Sequence, residues 1–183
     1  MSTQSPDQPQ AAALADDVTA IVEAHPDHSD ELRLWLRLLA VSNLIEAEIR
    51  RRLRERFATT LPRFDLMAQL ERAPDGILLG ELSRRMMVSN GNVTGLVERL
   101  ALEGHIVRET PETDRRATRV RLTVEGRAAF AAMAEEHSGW VAELLAGLGE
   151  SDVGDLYRRL GDLKASVTSA TAAPPPQKRT GDA

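Results

Sequence analysis

The chain has 183 residues, of which 42% are hydrophobic and 28% are charged, and it contains no cysteine. This composition is typical of a globular protein and excludes disulfides, thiolate metal sites and thiol redox chemistry. The chain has no apolar run near the roughly 18 residues needed to cross a membrane, and no secretory signal. We therefore expect a cytoplasmic protein with no membrane partner.

The net charge of −5 is unevenly distributed. Residues 1–30 contain six acidic side chains and no Lys or Arg, so the remainder of the chain is slightly positive. Within residues 77–127, nine Arg face seven Asp and Glu, and these Arg concentrate at the predicted hairpin. A local basic patch matters more for nucleic-acid binding than the total charge does. The acidic total therefore does not exclude DNA binding.

Residues 1–30 are predicted to form an acidic, largely disordered tail, because the first ten are rich in Ser, Gln and Pro. Asp30 is then predicted to cap a long helix over about 31–57. The apolar residues of this helix cover more than one face, as expected for a helix shared with a dimer partner. We assign residues 31–60 to dimerisation.

Residues 61–123 contain the signals of three further helices and a β-hairpin. Pro62 lies in a first helical turn, where proline is tolerated, and Gly104 ends the third of these helices. The predicted elements are a helix from residue 61, a short strand at 77–79, helices at 80–87 and 89–103, and hairpin strands at 105–109 and 117–122. On the strands, Ile106, Val120 and Leu122 suit the inner face.

The helix at 89–103 has one buried face and one bare face. Ser89 is a good N-cap, and apolar residues follow at helical spacing at positions 93, 96, 97 and 100. Gly91 and Gly95 lie opposite, although each glycine costs a helix about 1 kcal/mol relative to alanine. Their missing side chains would let a large, flat partner such as DNA approach the backbone.

Residues 124–168 are predicted to form two C-terminal dimerisation helices. Thr123 caps the first, which runs to about Gly147, and Ser151 caps the second. Helices this long have too little of their own chain to pack against, and a homodimer is the simplest way to bury them. Residues 169–183, with three consecutive prolines, are predicted to be a disordered tail.

The segment 80–126 resembles the winged helix-turn-helix regulators of the multiple-antibiotic-resistance-regulator (MarR) family. The matching features are Leu82-Ser83, Val88-Ser89, Val93-Thr94, Leu96-Val97, Arg99-Leu100, Gly104, Asp114-Arg115-Arg116 and Leu122-Thr123-x-x-Gly126. The order of helices on both sides extends the resemblance to about residues 31–168. The implied fold is mainly α with a small β-wing, a winged helix-turn-helix domain between N- and C-terminal dimerisation helices.

The resemblance also implies a function. Most members of the family are homodimers that bind a pseudo-palindromic double-stranded DNA operator, repress transcription and are released by a small, often aromatic, effector. The segments LWLRLL, EAEIRRRLRERF and LPRFDLMAQLER are similar to the branch that responds to hydroxycinnamoyl-coenzyme A. We therefore expect an aromatic carboxylate or its coenzyme A thioester as effector, and no cofactor.

The predicted DNA contacts lie on the helix at 89–103 and on the wing. Asn90 and Asn92 are suited to reading adenine in the major groove, whereas Thr94 and Arg99 are suited to phosphates. Gly95 stands where many relatives carry a longer polar residue, so no base contact is carried over to it. The helical set is Ser89, Asn90, Asn92, Thr94 and Arg99.

At the wing, the resemblance implies that Arg116 enters the minor groove while Asp114 holds its guanidinium. A narrow minor groove has enhanced negative potential, which attracts Arg. Arg115 and Arg119 would then contact the DNA backbone. The alternative is a solvated charge cluster without a ligand.

The predicted effector site combines aromatic and charged side chains. Its members are Arg33, Trp35, Arg37, Phe64, Asp65, Met67, His137 and Trp140. The aromatic residues and His137 are also compatible with a simple hydrophobic core. Surface salt bridges are the alternative explanation for the basic cluster, which consists of Arg33, Arg37, Arg50–Arg52, Arg54, Arg56 and Arg63. Asp65 is expected to be a buried carboxylate that needs a partner, either an Arg or a phenolic hydroxyl.

Two other function classes remain as alternatives. An enzyme acting on an aromatic thioester finds no support, because the chain has no cysteine, Ser-His-acid arrangement, Gly-rich phosphate loop or HExxH motif. No catalytic residue and no metal ligand is therefore predicted. A ligand-independent architectural DNA-binding protein would instead bind DNA equally with and without any aromatic compound.

Overall fold

The computed structural model describes residues 29–110 and 117–172. Its elements in chain order are α1 (Asp30–Phe57), α2 (Leu61–Glu71), β1 (Ile77–Leu78), α3 (Leu79–Met86), α4 (Asn90–Leu102), β2 (Ile106–Glu109), β3 (Arg119–Leu122), α5 (Val124–Leu145) and α6 (Glu150–Ala172). The expected fold, mainly α with a small β-wing, is confirmed. The predicted tails up to residue 28 and from residue 173 lie outside the described residues.

Three predicted boundaries are wrong. Ser151 does not cap the last helix, because that helix already begins at Glu150 and Ser151 lies inside it. Ser29, rather than Asp30, caps α1, because the Ser29 hydroxyl accepts a hydrogen bond from the Leu32 N–H (3.4 Å) and Asp30 is already helical. The C-terminal helix continues to Ala172, beyond the predicted limit at residue 168. The sequence contains no proline before Pro174 that would stop this helix earlier.

The three strands form one antiparallel sheet in the order β1-β3-β2. Ile106 is paired with Leu122, and Ile77 is paired with Val120, so the short strand β1 joins the hairpin as a third strand. All four side chains are buried, which confirms the inner face predicted for the hairpin.

The chain divides into two units between Val141 and Ala142. The core of the first unit is formed by residues from α1 to α5 and the sheet, with these fully buried side chains: Leu53, Leu66, Met67, Leu70, Leu82, Val93, Val97, Leu100, Val120 and Leu122. In the second unit, α6 has no buried residue. None of the helices in the described part of the chain has an apolar stretch sufficient to span a membrane.

Candidate DNA-binding surface and effector region

The helix α4 presents a polar N-terminal end to the outside. Ser89 caps it by accepting a hydrogen bond from the Asn92 N–H (3.4 Å). Val93, Val97 and Leu100 are buried, so the rotation of the helix is determined by the core. The opposite face carries the exposed Asn92 and Arg99 and the half-buried Thr94; the side chain of Asn90 lies outside what the structure describes.

The two glycines of α4 are not required by packing within the chain. A Cβ atom added at Gly91 or at Gly95 would meet no protein atom within 4 Å, leaving aside the helix's own backbone. Neither residue has a positive φ that would call for glycine. The space beside the helix is therefore open to a partner.

Arg119 lies at the base of the wing and has an intramolecular role. Its guanidinium donates hydrogen bonds to the backbone carbonyls of Asp75 (3.3 Å) and Gly76 (3.2 Å). These bonds hold the turn before β1 against β3. Sequence reasoning assigned Arg119 only to the DNA backbone, and that contact stays a prediction.

The other charged residues of the hairpin strands are partly paired. Arg121 forms an ion pair with Glu109 across the hairpin (2.7 Å), and Arg108 lies 4.0 Å from Glu98. Asp114, Arg115 and Arg116, at the predicted wing tip, lie outside the described residues. Their predicted roles stay predictions.

The aromatic part of the predicted effector site is a packed cluster in the first unit. The Phe64 ring centroid lies 4.9 Å from that of His137 and 5.5 Å from that of Phe130. Trp140 packs on Phe57 with centroids 6.2 Å apart, and the Arg52 guanidinium lies 5.9 Å from the Trp140 ring centroid. Phe64, Met67 and Trp140 are buried and His137 is half-buried, so these members of the predicted site share one core.

Asp65 is exposed in the single chain, which contradicts the expected buried carboxylate. It follows Phe64 on α2 and lies on the outer side of the helix. Neighbouring atoms nevertheless desolvate its carboxyl group, and this desolvation, together with the negative charge of Glu46, raises the pKa of Asp65. The charges of His137 and Arg50 act in the opposite direction.

The N-terminal half of α1 is exposed and separate from this cluster. Trp35 is 58% exposed, Arg33 pairs with Asp30 at 3.5 Å, and Arg37 has no hydrogen bond or ion pair within the described ranges. No ring contact, hydrogen bond or ion pair in the part of the chain described joins these three residues to Phe64 or His137. The single chain therefore does not bring the whole predicted effector set together.

Much of the basic cluster on α1 is neutralised within the helix. Arg50 pairs with Glu46, and Arg51 and Arg52 both donate to Glu48 (2.6 Å each). The hydrogen bonds from Arg51, followed by those from Arg52, lower the pKa of Glu48 to about 2. The salt-bridge interpretation is thus the one that the structure favours for Arg50–Arg52.

Sequence reasoning assigned neither Thr59 nor His105 to a site and counted Arg63 only with the basic cluster. These three residues line a cavity of about 300 Å³ in the first unit. Of these three residues, only His105 could have been singled out from the sequence, because it directly follows Gly104, the glycine that ends the helix. The described residues contain no group of three or more His, Asp or Glu that could hold a metal ion.

Comparisons with known proteins agree with this geometry. A model of the MarR family matches residues 59–117. The transcriptional activatory protein BadR of Rhodopseudomonas palustris is 30% identical over 152 residues, covering 76% of this chain and 86% of BadR. A MarR family transcriptional regulator of Silicibacter pomeroyi has 34% identity and a TM-score of 0.66, covering 76% of this chain and 99% of that one.

A protein whose crystal structure was determined in complex with DNA has the same fold. The crystal structure of Streptococcus pneumoniae FabT in complex with DNA has a TM-score of 0.64 and 24% identity, covering 77% of this chain and 99% of FabT. At this sequence identity, the similarity to FabT concerns the fold alone.

Proposed function

Because the chain belongs to the MarR family of winged-helix transcriptional regulators, we propose that it is a homodimeric repressor released by an aromatic acid or its coenzyme A thioester. It is a DNA-binding regulator of transcription and not an enzyme. The observation that carries the proposal is the outer face of α4, where two glycines with open space beside them flank the exposed Asn92. Such a face suits close approach to the major groove.

Two exposed apolar faces support dimerisation. On α1 the exposed residues are Leu32, Leu34, Trp35, Leu39, Val41 and Leu44, and on α6 they are Val153, Leu156, Tyr157, Leu160 and Val167. Each helix on its own exposes more large apolar side chains than an isolated surface helix is expected to carry. A second copy of the chain would cover them. Two copies of α4 would then meet successive major grooves about one helical turn apart.

The proposed effector binds near the Phe64–His137 stack. An aromatic ring suits this cluster, and the partly desolvated Asp65 provides an acceptor for a phenolic hydroxyl. Arg37, which lacks a described counter-ion, would meet the carboxylate or the phosphates of coenzyme A. The proposal places this regulator in the cytoplasm, together with its DNA.

The direction of regulation is a separate question. Repression is the usual mode of the family, whereas BadR is named a transcriptional activatory protein. Expression from a promoter–reporter fusion, measured in cells with and without the gene for this protein, decides between repression and activation. Higher expression without the gene is expected, and lower expression would make the protein an activator.

The proposal is tested by a mobility shift on the DNA upstream of the gene, repeated with aromatic acids and their coenzyme A thioesters. Binding as a dimer, and release by one of these compounds, is expected. DNA affinity that no compound changes would favour the ligand-independent architectural protein. Turnover of a thioester would contradict the absence of enzymatic activity.

Arg37→Ala separates the effector site from the DNA surface. We expect a weaker effector response and unchanged DNA affinity in the absence of effector. Arg158→Ala, which removes another exposed Arg, is the matched control. An unaltered response of Arg37→Ala would remove Arg37 from the effector site.

A further inference from the structure

The wing, formed by β2, β3 and the segment between them, is joined to the start of α3 through a small strand pair. Strand β1 has only two residues, and its Leu78 is paired with Arg119 of β3. Directly after β1, the Leu79 N–H donates to the Thr118 carbonyl (2.9 Å). A strand this short has few backbone hydrogen bonds to its neighbour, so side-chain bonds across the joint matter for its strength.

The Arg119 side chain lies across this joint. Its Nη1 donates to the carbonyl oxygens of Asp75 (3.3 Å) and Gly76 (3.2 Å), in the turn that precedes β1. Its aliphatic part covers the turn, because a Cβ atom added at Gly76 would lie 2.9 Å from the Arg119 Cγ and 3.2 Å from its Cδ. Hydrogen bonds from a charged donor are stronger than neutral ones, so Arg119 holds the turn firmly to β3.

The other outer-face arginine of β3 bonds to the opposite neighbour. Arg121 forms an ion pair with Glu109 of β2 (2.7 Å), although Glu109 is paired with Arg119 in the strand register. Arg119 is instead directed to the turn before β1. The central strand is therefore fastened to β2 by one arginine and to the turn before β1 by the other.

We propose that Arg119 is a positioning residue of the wing and not a ligand of the DNA backbone. The wing tip directly precedes β3, and α3 directly follows β1. The bonds of Arg119 therefore fix the direction of the wing relative to the helix-turn-helix part of the fold. Turning the guanidinium towards a DNA phosphate would break both bonds and uncover Gly76.

The consequence for DNA binding rests on the proposed function. Arg116, three residues before Arg119, is predicted to enter the minor groove. The direction of β3 decides where that side chain arrives when α4 lies in the major groove. Loss of Arg119 should therefore reduce operator affinity through Arg116, and not through a contact of its own.

The positioning step is tested without DNA, by hydrogen exchange of the full chain followed by NMR. Arg119→Met keeps an aliphatic side chain over Gly76 and removes the donors. The Leu79 amide should exchange about tenfold faster or more, because the β1–β3 pair opens locally more often. Arg121→Met, which removes the other outer-face arginine, is the matched control and should leave Leu79 near its original rate. Unchanged exchange of Leu79 in Arg119→Met, or equal acceleration in both variants, would overturn the proposal.

The functional step is tested by operator affinity in a double-mutant cycle. Arg119→Met alone should weaken binding about fivefold or more, and in an Arg116→Ala background it should add less than about twofold, because the contact that it positions is already lost. Additive losses would make Arg119 an independent DNA contact and overturn its positioning role. Unchanged affinity of Arg116→Ala alone would overturn the wing contact of the proposed function and this functional step with it, whereas the exchange of Leu79 decides the positioning step independently.

Discussion

Gly126 in the first turn of α5 lies so close to the backbone of His105 that a Cβ atom on Gly126 would overlap the His105 carbonyl oxygen. Thr123 fastens the same junction, because its hydroxyl donates to the Gly104 carbonyl (2.7 Å) and accepts from the Gly126 N–H (2.9 Å). The turn that ends α4 is thus held directly against the start of α5.

Gly126→Ala should destabilise the fold by about 1–3 kcal/mol, because the added methyl group meets backbone atoms that cannot move aside easily. The free energy of unfolding in urea, at a fixed protein concentration, measures the effect. Gly139→Ala in the same helix is the matched control, since a Cβ there meets nothing within 4 Å. The free energy of unfolding of the control should rise by up to about 1 kcal/mol. Equal stability of the two variants would contradict the role of the junction.

Gly95→Ala should have opposite effects on stability and on DNA binding. The free energy of unfolding should rise by up to about 1 kcal/mol, because alanine favours the helical state and its methyl group would meet no protein atom within 4 Å. Operator affinity should fall about tenfold or more, because the methyl group occupies space that the DNA needs. Urea unfolding and mobility shift measure the two quantities, and unchanged affinity would mean that α4 does not approach DNA at residue 95.

Asn92→Ala should relax the base preference of the protein. An Asn side chain can pair with adenine through two hydrogen bonds, and such a pair contributes about 1–3 kcal/mol of discrimination. Affinities for the operator and for a set of single-base variants measure the change. An equal loss of affinity for all DNA sequences would assign Asn92 to phosphate binding instead.

Arg116→Ala should weaken operator binding at least tenfold and leave the dimer intact. If Arg116 neutralises DNA phosphates from within the minor groove, the dependence of affinity on salt should also become shallower, by about one unit per lost contact. Fluorescence anisotropy at several salt concentrations and light scattering provide these data. Arg127→Ala, which removes an Arg paired with Glu71, is the control, and an equal loss in both would exclude a specific role for the wing.

Glu48→Gln should lower stability in a manner that depends on pH. The pKa of Glu48 is lowered from 4.5 to about 2 in the folded chain, so its contribution is present above pH 4.5 and is lost as the pH falls towards 2. We expect a loss of about 1–2 kcal/mol at neutral pH, at the lower end of what hydrogen bonds to a charged group contribute, because these side chains are partly exposed. Urea unfolding from neutral to acidic pH should show the two proteins converging, and a constant difference would contradict the assignment.

The order and type of the elements could be predicted from the sequence because they depend on local signals. The cap at Ser89, the spacing of Val93, Val97 and Leu100, and the alternation around Val120 each act within a few residues. The sequence does not locate the cap of α1 to the residue, because Ser29 and Asp30 are both good capping residues. Only the hydrogen bond to Leu32 distinguishes them.

The candidate sites could be predicted less completely. The bare face of α4 follows from helical periodicity, and the structure agrees with it. Asp65 was expected to be buried because it lies between apolar neighbours, but a helix turns about 100° per residue and places it outside. For Arg119 the sequence predicts only a DNA contact, because nothing in the sequence reveals its hydrogen bonds to the carbonyls of residues 75 and 76.

The sequence by itself determined the family, the helical order and the outer face of α4 that carries Gly91 and Gly95, since these depend on periodicity and on residue type. Only the tertiary structure decided which distant residues meet. Arg63 and Glu103 are separated by 40 residues, and His105 and Gly126 by 21, so no local pattern relates them. Their contacts arise because burial of the apolar faces of α2, α4 and α5 in one core brings distant backbone and side-chain groups together.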